Sequence, residues 1–108
     1  MATFEKESIF NLENSIEYTD GGVISKQITK SKGGNLTLFS FDTEQGLSEH
    51  KTPYDAIVQI LDGEAEITIG GNLLNLKKGD CIIMPANIPH ALKAVERFKM
   101  LLTMIKQE

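Results

Sequence analysis

Glycine punctuates this sequence more insistently than any other residue, and that spacing limits what the chain can become. Gly21-Gly22, Gly33-Gly34, Gly46, Gly63, Gly70-Gly71 and Gly79 fall between short apolar runs. A run that must turn after six to nine residues cannot build long helices; regular short runs between turn signals indicate a sandwich or barrel. The spacing predicts strands near 23–31, 36–42, 55–62, 64–69, 73–77, 80–85, 90–95 and 97–105. Ala65, Ile67 and Ile69 alternate with Glu64, Glu66 and Thr68, the pattern of a strand with one wet face. Gly70-Gly71 then supplies the positive φ angles of a tight hairpin.

Three other runs are apolar on both faces: Ile57–Leu61, Cys81–Met84 and Met100–Ile105. Strands of that kind are covered on both sides. One barrel interior covers only one side, so a second layer or a second subunit is expected on the other. The last run also fits a helix by periodicity; its length and β-rich surroundings favour a strand. Near the N-terminus, Ile9, Leu12 and Ile16 recur at helical spacing and suggest a short helical turn between Glu7 and Tyr18.

The chain of 108 residues is read as one domain, an N-terminal extension over about 1–20 and a barrel over about 21–106. Its net charge of −4 and scattered lysines give no basic stripe, so no nucleic-acid partner is expected. No apolar stretch approaches the roughly 18 residues of a membrane span, and the first residues hold no apolar core of signal-peptide length. With Cys81 as the single cysteine, no intrachain disulfide can form. The expectation is a cytoplasmic protein without membrane attachment.

The middle of the chain carries a resemblance. His50-Lys51-Thr52-Pro53-Tyr54-Asp55-Ala56, running on to Gly63, resembles the first motif of the cupin family: His, any residue, His, three or four residues, Glu, six residues, Gly. Gly79-Asp80-Cys81-Ile82-Ile83-Met84-Pro85, followed by His90, resembles the second. The resemblance spans roughly residues 36–105 and implies an all-β fold, the cupin double-stranded β-helix (jelly-roll) barrel. It is similar to the short stand-alone bacterial kind, and such cupins commonly pair, so a homodimer is implied.

In the family, two histidines and a glutamate of the first motif join one histidine of the second around a metal ion. Here His50 and His90 occupy two of those positions, while Thr52 and Ala56 stand where the second histidine and the glutamate would be. A transition-metal site generally needs three protein ligands, so two imidazoles would hold one divalent ion (Zn, Fe, Mn or Ni) weakly. Asp55 becomes a ligand only if a bulge between Pro53 and Ala56 turns it inward.

Two functional classes follow. The first is a small-molecule-binding module with His50, Gln59 and His90 as polar contacts in the barrel mouth. The second is a metal-dependent enzyme of the dioxygenase, isomerase or decarboxylase type, acting on a small polar substrate with His50 and His90 as metal ligands. Free of metal, the histidines could also contact an anion or work as acid and base near neutral pH. Gln59 is otherwise a satisfied core polar group, Asn87 a turn residue, Met84, Met100 and Met104 core packing, and Cys81 a small buried hydrophobe.

Overall fold

The structure, a computed structural model, describes residues 4–107, so the first three residues of the N-terminal extension and Glu108 lie outside the described residues. Nine strands follow a short 3₁₀ turn at Glu13–Ser15: β1 (Val23–Ser31), β2 (Gly34–Phe41), β3 (Gly46–His50), β4 (Tyr54–Asp62), β5 (Glu64–Ile69), β6 (Asn72–Lys77), β7 (Cys81–Met84), β8 (His90–Ala94) and β9 (Phe98–Lys106). They form two antiparallel sheets, β1-β2-β9-β4-β7 and β3-β8-β5-β6, which face each other as a jelly roll. No helix among the described residues is long and apolar enough to cross a membrane.

Eight of these strands coincide with the sequence expectation to within two residues, including β9, which is strand and not helix. The hairpin at Gly70-Gly71 has the expected positive φ at both residues, 55° and 87°. β3 was not expected. Its sequence, GLSEH, has one apolar residue, and it forms an edge of the smaller sheet, where one neighbour suffices. The helical spacing of Ile9, Leu12 and Ile16 yields only the 3₁₀ turn; Ile16 is buried, whereas Ile9 is fully exposed.

Register assigns every inward side chain of the larger sheet, because directly paired residues point to one face. Row by row, the interior receives Met84–Ala56–Met104, then Ile82–Val58–Leu102, then Ile60–Met100–Phe39, then Phe98–Phe41. The smaller sheet answers with His50–His90–Ile69, Leu47–Leu92–Ile67 and Ala94–Ala65–Leu76. Phe41 and Phe98, both fully buried, stack with ring centroids 4.5 Å apart and close the barrel's lower end. The histidine row sits at the opposite end.

The outer face of the larger sheet divides into two parts. Over one, the segment Asn11–Tyr18 lies as a strap, held through its backbone and through Tyr18, whose hydroxyl donates to Asp62 Oδ2 at 2.6 Å. Lys26 Nζ donates to Ser15 O (3.0 Å), Lys99 Nζ to Glu13 O (2.7 Å) and Ser40 Oγ to Glu17 O (2.7 Å). Leu38 and Ser40, which register turns outward, are thereby buried. The other part carries the rows Ile83–Ile57–Thr103–Leu36 and Cys81–Gln59–Leu101, with no ionised side chain among them. Ile83 is 59% exposed and Ile105 46%. Cys81 belongs to this exposed row, which corrects the expectation of a buried thiol: its strand is an edge, and its side chain points away from the core.

Candidate functional site

The open end of the barrel holds a cavity of about 110 Å³. Leu47, Leu92, Leu102, Met84, Met100 and Met104 make its apolar wall; His50, His90 and Thr52 are the polar residues that reach it. Ala56 lines it as well, and its small side chain leaves open the space between the two methionines of its row.

His50 reaches the cavity through a backbone irregularity. Leu47 pairs with Leu92 and His50 with His90, so three steps along β3 match two along β8. Without that extra residue, Leu47 and His50 would point to opposite faces, being an odd number of residues apart. The bulge returns His50 to the inner face beside His90, at the kind of place where bulges re-aim side chains. The imidazole centroids are 4.4 Å apart with the rings inclined at 69°.

His90 is placed by the turn that precedes β8. Asp55 Oδ1 accepts from Ala86 N at 2.9 Å, Thr52 O from Asn87 N at 2.7 Å, and Pro89 O from Gly70 N at 2.8 Å. Asn87 takes a positive φ of 65°, which asparagine tolerates better than most residues and which fits its expected turn role. Asp55 thus works on the outer side: β4 pairs without a bulge from Tyr54 to Ile60, and its carboxylate holds the turn instead of facing a metal.

Both imidazoles are oriented alike. His50 Nδ1 lies 2.7 Å from Ser48 O, and His90 Nδ1 lies 3.4 Å from Ile88 O. A carbonyl oxygen only accepts, so each neutral ring keeps its proton on Nδ1 and leaves the Nε2 lone pair free. His90 is buried to 3% exposure. Burial, then the neighbouring His50, hold its pKa below the usual 6.5. His90 is therefore neutral at physiological pH, and no carboxylate lines the cavity beside the two rings.

Gln59 does not belong to this site. Val58 and Ile60 point inward, so the residue between them points out; Gln59 is exposed on the outer face between Cys81 and Leu101. The run Ile57–Leu61 conceals this because it is apolar on both faces. Conversely, Leu47, Leu92 and Leu102 line the cavity although no motif marks them; their rows show it only once register is known.

The residues present do not fit the family's divalent metal. Ala56 and Thr52 occupy two ligand positions without a charged donor, and Asp55 faces outward. Among the described residues no group of three or more His, Cys, Asp or Glu side chains is placed to hold a metal ion. No metal-assisted step can be derived from this donor set.

Comparison with known proteins agrees with this architecture. The Cupin domain family matches residues 37–106. A conserved protein of unknown function from Streptococcus pyogenes is 38% identical, with a TM-score of 0.91, over 96% of this chain and 91% of that one. A cupin superfamily protein from Desulfitobacterium hafniense is 30% identical, with a TM-score of 0.90, over 97% and 96%. A cupin 2 conserved barrel domain protein from Leptotrichia buccalis is 41% identical at a TM-score of 0.87; the match covers 90% of this chain but only 47% of that longer protein. No curated protein matches. With most of its barrel matched in sequence and nearly its whole length in structure, the chain belongs to the cupin family.

Proposed function

We propose that this cupin is a binding module for a small molecule, held in the barrel mouth with its apolar body among the methionines and leucines and its polar end at His50 and His90. The observation that carries this reading is the wall of the cavity: apolar throughout, with two Nε2 acceptors and one threonine at the polar end. Ligand sites have this composition, a greasy enclosure with few oriented polar groups. A cavity of about 110 Å³ is smaller than the roughly 150 Å³ that accommodates benzene in an engineered core. The body is therefore a short chain or a small ring. The head donates hydrogen bonds, since both free nitrogens accept.

Cyclopentanol and cyclopentane separate body from head. With the methionine methyl groups labelled, NMR titration should give saturable shifts at Met84, Met100 and Met104, and the alcohol should bind more tightly than the hydrocarbon. A hydrogen bond of net ~0.5–1.5 kcal/mol predicts a preference of about twofold to tenfold. Absence of saturable shifts with either probe overturns the reading.

A further inference from the structure

We infer that Asp55 is a positioning residue for the barrel mouth: its carboxylate, which does not line the cavity, sets the orientation of the His90 imidazole through the turn that precedes β8. The effect on the ring follows from hydrogen-bond geometry alone; the effect on affinity rests on the proposed binding function.

The turn cannot hold its own shape. Pro85, Ala86, Asn87, Ile88 and Pro89 join β7 to His90. Proline has no N–H, so the backbone donors here belong to Ala86, Asn87 and Ile88. Only Ile88 N bonds within the turn, to Pro85 O at a long 3.4 Å. The other two reach outside it, Ala86 N to Asp55 Oδ1 at 2.9 Å and Asn87 N to Thr52 O at 2.7 Å. Asn87 also keeps a φ of 65°, a conformation that favours glycine and that its surroundings must impose. The shape therefore comes from the segment Thr52–Asp55. Thr52 contributes a main-chain oxygen, which any residue supplies. Asp55 contributes a side chain, so position 55 is where sequence decides. Its strand pairs with β9 without a register shift from Tyr54 to Ile60, which makes it a firm anchor.

The ring of His90 depends on this turn more than its backbone does. The backbone is fixed from both sides, paired with Ile69 on β5 and with His50 on β3. The ring takes its direction from Ile88 O, in the turn, 3.4 Å from Nδ1. That contact is close to the limit of a hydrogen bond, so a displacement of about half an ångström breaks it. The partner of one ring nitrogen decides which nitrogen carries the proton. Asp55 thus acts in sequence on Ala86 N, on the placing of Ile88 O and on His90 Nδ1. His50 is independent of this chain of contacts, because its Nδ1 faces Ser48 O in its own strand at 2.7 Å.

The test compares Asp55→Ala with Asp55→Asn in the full chain at about pH 8, where His90 is neutral. Ring nitrogen-15 shifts report the tautomer, and titrations with cyclopentanol and cyclopentane report the mouth. Asparagine keeps an oxygen at the Oδ1 position, so Asp55→Asn should retain the wild-type tautomer and the wild-type preference for the alcohol to within about twofold. Asp55→Ala should move His90 from the Nδ1–H form towards a mixture, leave the His50 shifts in place and bring the alcohol-over-hydrocarbon preference down towards one. Cyclopentane, which meets only the apolar wall, should bind it as it binds the wild type. If Asp55→Ala does not fold, Asp55→Ser gives the same reading, since its hydroxyl is too short to reach Ala86 N from the same backbone position. Wild-type His90 shifts in a folded alanine or serine variant overturn the inference, even where the thermal midpoint falls, because Asp55 then only stabilises the turn. An asparagine variant that shifts as far as the alanine variant overturns it too, because the hydrogen bond is then not the cause. If the wild type binds neither probe, the small-molecule reading falls while the ring shifts still decide the role of Asp55.

Discussion

Replacing Ala56 with glutamate would add the carboxylate that separates this cavity from a divalent metal site. Ala56 is 2% exposed and faces the same space as His50 and His90, so Ala56→Glu places a methylene and a carboxyl group in the cavity. Without metal, apolar surroundings raise the new carboxyl's pKa and keep it protonated. Burying one neutral polar group with incomplete hydrogen bonding costs about 1–3 kcal/mol. At roughly 4 °C per kcal/mol for a domain of this size, the thermal midpoint should fall by about 4–12 °C. Zinc should reverse this. A ligand at about a hundred times its Kd stabilises by about 2.7 kcal/mol, or about 10 °C. The gain should grow with rising pH, because binding displaces the carboxyl proton. Circular dichroism melts with zinc and with EDTA measure both effects; the wild type should move by less than about 2 °C. If the wild type rises as much as the variant, two imidazoles already suffice and the incomplete-ligand argument is wrong. If the folded variant ignores zinc, position 56 does not face the imidazoles.

Three further outcomes are expected. The depressed His90 pKa means that the unfolded chain binds the extra proton first, so stability is complete above about 6.5 and is lost as pH falls below it; urea midpoints from about pH 7.5 to 5 should show this, with a flatter profile in His90→Gln. Phe98→Ala removes one ring of the buried Phe41–Phe98 stack and should cost about 3–5 kcal/mol, read as a loss of about 12–20 °C in thermal midpoint; a loss under about 4 °C would mean that the stack is not the core's anchor. The outer rows through Ile57, Ile83 and Leu101 hold no ionised side chain and leave Ile83 exposed, and the cover expected for them is a second copy related by two-fold symmetry. Light scattering should therefore give twice the 11.9 kDa chain mass, and Ile83→Lys should return it to that of a single chain.

The barrel was legible because glycine turns and alternation act locally. Gly70-Gly71 adopts the φ values its hairpin needs whatever surrounds it, and Glu64–Ile69 shows its two faces in its own composition. Facing was not legible where both faces are apolar. Gln59 and Cys81 sit in such runs, and only pairing with β9 and β7 decides that they point out. The strap was illegible for a different reason. Lysine ammonium groups and a serine hydroxyl hold it by main-chain oxygens, which any sequence supplies, and the partners of its own side chains, Asp62 for Tyr18 and Lys78 for Glu13, lie more than 40 residues away, so no local pattern in Asn11–Tyr18 announces the contact.

The histidine pair shows how spacing can carry information that propensity does not. GLSEH is too polar to register as a strand, yet the positions of His50 and His90 in the two motifs already implied one cavity. What joins the two facts is the bulge. A regular β3 with Leu47 inward would turn His50 to solvent, so an inward Leu47 and an inward His50 require the extra residue between them. The motif's spacing therefore encodes a backbone irregularity together with a ligand position. The irregularity persists here although two of the ligand positions hold Thr52 and Ala56. The row opposite the imidazoles places small Ala56 between Met84 and Met104, while the turn that seats His90 is held by Asp55 and Thr52. The bulge and the turn aim two imidazoles at the cavity, and the wall they face is apolar and holds no carboxylate.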